Sequence, residues 1–288
     1  MTTIPLPSEK APAAAESRSG RPLLWMVAIA GLLLALYHET FHRMGLQWWN
    51  EEDYNHGFIV PLFSGWLVWQ ERERLRKLAV APSVWGVALL AFGLLLFAVG
   101  FLGAELFLQR SSSVVVLAGL VLLLLGPGFL RALGFPLLFL LFMVPIPAVL
   151  RNVIAFPLQL FAAQTAAFCM SGVGVPVVRE GNVIVLAQTT LEVADACSGI
   201  RSLQALLALA AVYAFLTQRT LWRRAVIFAS AIPIAIAANA FRVSGTGLLA
   251  HYFGLETAQG FYHSLAGYLM FGVAFVGLLA CGWLLKHL

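Results

Sequence analysis

Charge is what this sequence has least of. Only 11% of its 288 residues are Asp, Glu, Lys or Arg, against about 25% in an ordinary soluble domain. Apolar residues make up 61%, and the mean hydropathy is +0.88. A water-soluble fold of this size has no core large enough for them, so a soluble enzyme, a disordered chain and a nucleic-acid-binding module are all excluded. Cysteine is scarce too: three residues, an odd number and no disulfide framework. No G-x-S-x-G segment marks a serine hydrolase, and no His/Cys spacing is that of a zinc site. Neither metal nor cofactor is expected. What is left is a polytopic membrane protein.

A helix needs about 20 mostly apolar residues to cross the hydrocarbon. Candidate spans fall at about 22–43, 57–71, 84–104, 112–126, 134–150, 198–217, 225–250 and 262–285. No A-x-A cleavage pattern follows the first apolar run, so the first span reads as an uncleaved anchor. A further apolar stretch, 152–170, carries Asn152, Pro157, Gln159, Gln164 and Thr165.

Basic residues collect in short cytoplasmic loops. The cluster Arg72, Arg74, Arg76, Lys77 and the cluster Arg219, Arg223, Arg224 therefore lie on one side. An even number of crossings must separate them. Spans 84–104, 112–126, 134–150 and 198–217 already make four, so 152–170 is expected along the outer interface or as a shallow re-entrant piece. Arg43, Arg110, Arg151 and Arg179 then lie outside, and Arg201 and Arg242 fall within apolar runs. The net charge of +5 is a topology signal more than the footprint of an anionic partner, and no nucleic acid is implied. Val175–Val178 and Val183–Ala187 flank Arg179-Glu180-Gly181-Asn182, a hairpin pattern. The expected fold is all-α, about eight transmembrane helices with a short external interfacial helix and a small β-hairpin, both termini cytoplasmic. Residues 1–21 are a disordered cytoplasmic tail. Residues 22–288 are one membrane-embedded domain, with the external segment 151–196 ahead of the sixth span.

Ionisable residues within membrane spans are costly and mark candidate sites. Asp195-Ala196-Cys197-Ser198-Gly199-Ile200-Arg201 opens the sixth span from outside, Asn239-Ala240-Phe241-Arg242 lies near the outer end of the seventh, and His263 starts the eighth. The topology thus brings a Cys, an Arg and a His to one depth. A cysteine acts through its thiolate, whose pKa a helix N-terminus or a nearby cation lowers. Cys197 begins a helix, and Arg201 is one turn on. A histidine can exchange protons with the thiol and with a leaving amine. An arginine can hold the oxyanion of a tetrahedral intermediate, and Asn239 shares the face of Arg242. Each residue also has a plainer reading. Cys169 and Cys281 read as small packing residues, Arg242 alone could snorkel to headgroups, His251 and His263 could sit at the interface, and Ser198-Gly199 could serve close packing.

At these residues the sequence resembles the exosortase family, membrane-embedded cysteine transpeptidases found beside bacterial exopolysaccharide systems. The resemblance runs from about Asp53 to Phe271. It is most specific in Val193-Ala194-Asp195-Ala196-Cys197-Ser198-Gly199-Ile200-Arg201-Ser202. Glu180-Gly181-Asn182-Val183-Ile184, Asn239-Ala240-Phe241-Arg242-Val243 and His263 with Gly267 support it. Asp53-Tyr54-Asn55-His56-Gly57-Phe58 is similar to the family's D-Y-S-H-G segment, with Asn55 in place of Ser.

The resemblance implies a nucleophile Cys197, an oxyanion stabiliser Arg242 and a general acid/base His263 at the periplasmic face of a bacterial inner membrane. Arg201, Asn239, Asp195, Ser198 and His56 would support them, although His56 and the acidic Glu51–Asp53 loop could equally be a solvated interface. Implied partners are exported proteins with a C-terminal Pro-Glu-Pro signal, a hydrophobic helix and a basic tail, together with the lipid bilayer and an acceptor amine or water. The rival class is a transporter or a lipid- or polysaccharide-handling protein that binds an anionic group with Arg201 and Arg242. The lack of an internal repeat counts against it.

Overall fold

The computed structural model describes residues 21–187, 190–193, 200–254 and 261–287. The chain divides into two compact units, residues 1–43 and residues 44–288. The first holds most of α1 (Arg21–Asn50), where Arg43 Nε donates to Glu39 Oε1 one turn earlier at 2.6 Å.

The second unit opens with a 3-10 helix (Glu52–Phe58) that runs into α2 (Ile59–Gln70). The expected span over 57–71 is thus 12 residues of α-helix, about 18 Å long. The basic cluster forms α3 (Arg72–Arg76). Next come α4 (Trp85–Leu102) and α5 (Leu106–Leu124), an antiparallel pair. Gly86, Gly93 and Gly100 recur every seventh residue along α4. A Cβ at Gly86 would run into the backbone of Leu123, one at Gly93 would lie 2.7 Å from Val116 Cγ2, and one at Gly100 2.5 Å from Gln109 N. Without side chains there, the two backbones close on each other, as small residues allow in membranes. Helix α5 starts ahead of the expected residue 112 because Glu105 caps it, accepting from Leu108 N–H at 2.7 Å. Arg110 therefore lies inside a helix and not in an external loop.

Two further expectations are corrected. The span at 134–150 is not one helix. After α6 (Pro127–Ala132), α7 (Gly134–Phe139) passes into a 3-10 turn over Leu140–Met143, and Val144–Pro147 is extended. Pro145 and Pro147 remove backbone donors and bar the residues before them from helical geometry. In place of a short interfacial piece over 152–170 stands α8 (Ala148–Gly172). Its 25 residues continue through Pro157, long and apolar enough to cross a membrane. The polar residues do not interrupt it: Gln159 is buried, and Thr165 Oγ1 donates to Phe161 O at 2.9 Å.

The hairpin is present as β1 (Val177–Glu180) and β2 (Val183–Leu186), with Glu180 paired to Val183. A third antiparallel strand, β3 (Thr190–Glu192), joins it. Ile184, Leu186, Leu191 and Val193 pack with Ala163, Ala166 and Met170 of α8. The same core takes in Val243 and Ala250 of α10 (Leu221–Phe253).

Helices α9 (Ile200–Thr217), α10 and α11 (Phe261–His287) form the remaining bundle. Its core uses Leu206, Ala210 and Ala214 of α9, Ile227, Ala231 and Ala235 of α10, and Ala274 and Leu278 of α11. The spacing of four residues keeps each set on one helix face, and the alanines bring the axes close. At the basic end Arg224 Nε donates to Gln218 O at 2.8 Å and lies 4.7 Å from the Phe215 ring, closing the C-terminus of α9. Among the described residues five helices are long and apolar enough to cross: α4, α5, α8, α10, and α11 from Gly267 on. Gly134–Met143 and Ser202–Thr217 are shorter apolar stretches, so helices of this length do not account for all eight expected crossings. The protein is nonetheless a multi-pass membrane protein.

Candidate active site

Asp195, Cys197 and Ser198 lie outside the described residues. The chain on either side of them is held firmly. Val193 is buried, and its N–H donates to Asn182 O at 2.9 Å. Ile200, the first residue of α9, is buried as well. Arg201 follows it, and His263 lies in the first turn of α11; the side chains of these two lie outside the described atoms.

Arg242 and Asn239 are described in full. They sit three residues apart on α10, with Arg242 half-buried and Asn239 only 6% exposed. Thr246 Oγ1 donates to Arg242 O at 3.0 Å. A Cβ built on Gly267 of α11 would lie 3.9 Å from Arg242 Nη1, so a side chain is missing where the guanidinium lies. Both residues line a recess among α9, α10 and α11, of about 290 Å³ including its open mouth. Ser202, Asn239 and Arg242 make its polar part, and Leu206, Ala235 and Ala274 are among its apolar walls. A guanidinium over apolar walls acts in a low dielectric, where its pull on an anionic oxygen is stronger than in water.

The 3-10 helix packs against α9. His56 there is half-buried and bonds the backbone of Asp53 and Phe142; burial pushes its imidazole below the usual 6.5, opposed by those two bonds. It ties the 3-10 helix to the turn before α8. Its neighbour Tyr54 is buried, which pushes the phenol up, while the charge and hydrogen bond of Arg151 pull it down. Arg151 also lies 3.9 Å from Asp53. Arg110, 4% exposed, donates to Gln47 Oε1 at 2.7 Å. These groups pin the segment before α2. The structure thus gives His56 a structural place, and brings together Arg242, Asn239, Gly267 and Ser202.

Ser202 and the alanines of the recess were not singled out by sequence. Counting back four and seven residues from Arg242 reaches Ala238 and Ala235, so helical spacing held the signal. No group of three His, Cys, Asp or Glu side chains able to hold a metal exists among the described residues.

A family model described as transmembrane exosortase matches residues 48–280. No curated protein and no solved structure matches the chain.

Proposed function

The chain belongs to the transmembrane exosortase family, and from that premise we propose that it is a membrane-embedded cysteine protease or transpeptidase. Its substrates are exported proteins that end in a Pro-Glu-Pro-type signal, a hydrophobic helix and a basic tail. It cleaves them at the outer face of the inner membrane.

One observation supports this reading: the recess lies among α10 and α11, which hold Arg242 and His263, and α9, which begins three positions after Cys197. Arg242 lines it directly. Ser202, five residues after Cys197, lines it from α9, and Gly267, four after His263, from α11. Ile200 is three positions after Cys197, and chain connectivity alone limits that separation to about 11 Å between Cα atoms. Residues four apart share a helix face, which puts His263 one turn beyond Gly267.

In the reaction the Cys197 thiolate attacks the scissile carbonyl, forming a C–S bond and a tetrahedral oxyanion. Arg242, with Asn239 beside it, stabilises that oxygen. As the intermediate collapses the C–N bond breaks and protonated His263 gives its proton to the leaving amine. The thioester that remains is resolved by an acceptor amine or by water. Arg201, four residues after Cys197, supplies a positive charge that favours the thiolate, and Asp195 and Ser198 flank the nucleophile in sequence.

The test is co-expression with a tagged substrate of this type, with both termini read by mass spectrometry. Cys197→Ala is expected to abolish cleavage while the protein remains in the membrane. Undiminished cleavage by that variant refutes the proposal.

A further inference from the structure

The recess beside Arg242 continues inward from the guanidinium as a slot. On α10 it is lined at Arg242, Asn239, Ala238 and Ala235, on α11 at Gly267, Met270, Phe271 and Ala274, and on α9 at Ser202 and Leu206. Each set repeats at three or four residues, one face of a helix. The lining positions run from residue 242 to 235 and from 267 to 274, about 10 Å of each helix at 1.5 Å per residue. Its polar groups are all near one end. Below them come Ala235, Ala238 and Ala274, each with a single side-chain carbon, in a bundle whose other core positions include Leu206, Ile227 and Leu278. Larger side chains at the three alanines would close the slot.

We propose that this slot is a specificity pocket that receives the side chain of the substrate residue supplying the scissile carbonyl, and that it admits a small apolar one. The inference rests on Arg242 being the oxyanion stabiliser. A carbonyl oxygen held by a guanidinium N–H lies about 2.9 Å from that nitrogen. The Cβ of the same residue is only about 3 Å from its own oxygen by standard covalent geometry. That side chain therefore starts within roughly 6 Å of Arg242, at the polar mouth of the slot. No residue lining the slot is acidic, so an ammonium entering it would lose its hydration with no anion to compensate and would meet the like charge of Arg242. Phe271, Met270 and Leu206 limit how much a large ring could occupy.

The test uses a reporter protein with a C-terminal Pro-Glu-Pro-type signal, hydrophobic helix and basic tail, co-expressed with the full chain, its cleaved bond located by mass spectrometry. The residue before that bond is then varied among Ala, Val, Phe and Lys. The wild-type protein is expected to cleave the Ala and Val substrates and to reject Lys and Phe. Ala238→Leu, which fills the slot, should lower the Val-to-Ala cleavage ratio at least about 10-fold, the lower range for a methylene-sized change in an apolar pocket. Met270→Ala, which enlarges it, should raise the Phe-to-Ala ratio by a similar factor. Ratios are independent of how much of each variant folds. Unchanged ratios in both variants, or wild-type cleavage of Lys and Phe substrates as fast as Ala, overturn the pocket while leaving the enzyme reading intact. Cleavage that survives Cys197→Ala overturns the enzyme reading itself.

Discussion

Gly267 offers the sharpest perturbation of the site, because its effect scales with the side chain put there. Its built Cβ lies 3.9 Å from Arg242 Nη1, an ordinary van der Waals separation. Gly267→Ala therefore adds a methyl without moving the guanidinium, and in a helix it also removes the entropic cost of glycine, about 1 kcal/mol. Gly267→Val adds carbons about 1.5 Å further out. A γ-carbon toward Arg242 would stand at about 2.4 Å, against a contact limit near 3.4 Å for packed heavy atoms. The guanidinium must then move by about 1 Å. A misplacement of that size costs on the order of 100-fold in rate when the group acts on the transition state.

The expected series for single-turnover cleavage of the co-expressed substrate is therefore Gly267 equal to Ala, and Val lower by about two orders of magnitude. Gly272→Val serves as control: the same helix and the same chemical change, with nothing within 4 Å of its built Cβ. It is expected to cleave within a factor of about two of wild type, as exposed substitutions usually do. If Gly267→Ala is as damaging as Val, or if Gly272→Val falls equally far, the position of Arg242 is not what Gly267 protects and the reasoning fails.

Arg242→Lys keeps the charge and loses the planar fork; cleavage should fall by about 100- to 1,000-fold, chiefly in kcat, as for loss of one oxyanion donor. A kcat within a factor of three of wild type would remove Arg242 from that role. His56 gives a pH dependence: its native pKa lies below the usual 6.5, so between the two values the unfolded chain binds more protons. Its stabilisation is complete above about pH 6.5 and falls as the pH drops through that interval. Melting of the solubilised protein from pH 8 to pH 5 should show this loss, and His56→Gln should flatten it. Gly86→Ala places a methyl on the Leu123 backbone, and overpacking of this kind costs about 1–3 kcal/mol. Thermal melting should show a lower Tm for Gly86→Ala and none for Gly65→Ala, whose built Cβ meets nothing within 4 Å.

How much of this was legible in the sequence depended on the kind of signal. The hairpin could be read because β-branched runs flank Gly181-Asn182 and because strand pairing there is local. Its third strand had the alternation of Thr190-Leu191-Glu192-Val193, but four residues are too few for periodicity to stand out. The misassigned helices failed for a common reason. Hydropathy sees apolar content and not backbone continuity, so residues 134–150 passed as a span despite Pro145 and Pro147. Counting that stretch as a crossing left no place for 152–170 in an even number between the two basic clusters, so α8 was set along the interface. Arg110 was read as external because it precedes the expected start of its span at residue 112, whereas α5 begins at Leu106. Its partner Gln47 is 63 residues away, a pairing no local pattern reveals. For the site, helical spacing linked Asn239 to Arg242, whereas the closeness of Gly267 to Arg242 depends on the register of α10 against α11.

That register explains how positions far apart in sequence, Ser202, Arg242 and Gly267, come to line one recess. Helices α9, α10 and α11 are tied together at the basic end, where Arg224 closes α9 and Tyr213 and Gln218 of the α9 end bond Leu279 and Gly282 of α11. Length along each helix can be measured from there at 1.5 Å per residue. Ile200 stands about 26 Å from Thr217, Arg242 about 32 Å from Leu221, and Gly267 about 30 Å from His287. All three distances match the roughly 30 Å of a bilayer's hydrocarbon. Only α10 continues far beyond, and Val243 and Ala250 on that extension pack with α8 and the sheet. The same packing holds Val193, the last buried residue before the Cys197 segment. A bundle levelled at its basic end and one membrane thickness tall thus brings the start of α9, Arg242 and the first turns of α11 to a common height. Removing that levelling should therefore act at a distance. Gln218→Ala combined with Tyr213→Phe, both far along α9 from Arg242, is expected to lower cleavage and melting temperature together. A variant that melts earlier yet cleaves at the wild-type rate per folded molecule would show that the height of the site is set locally, by α8 and the sheet.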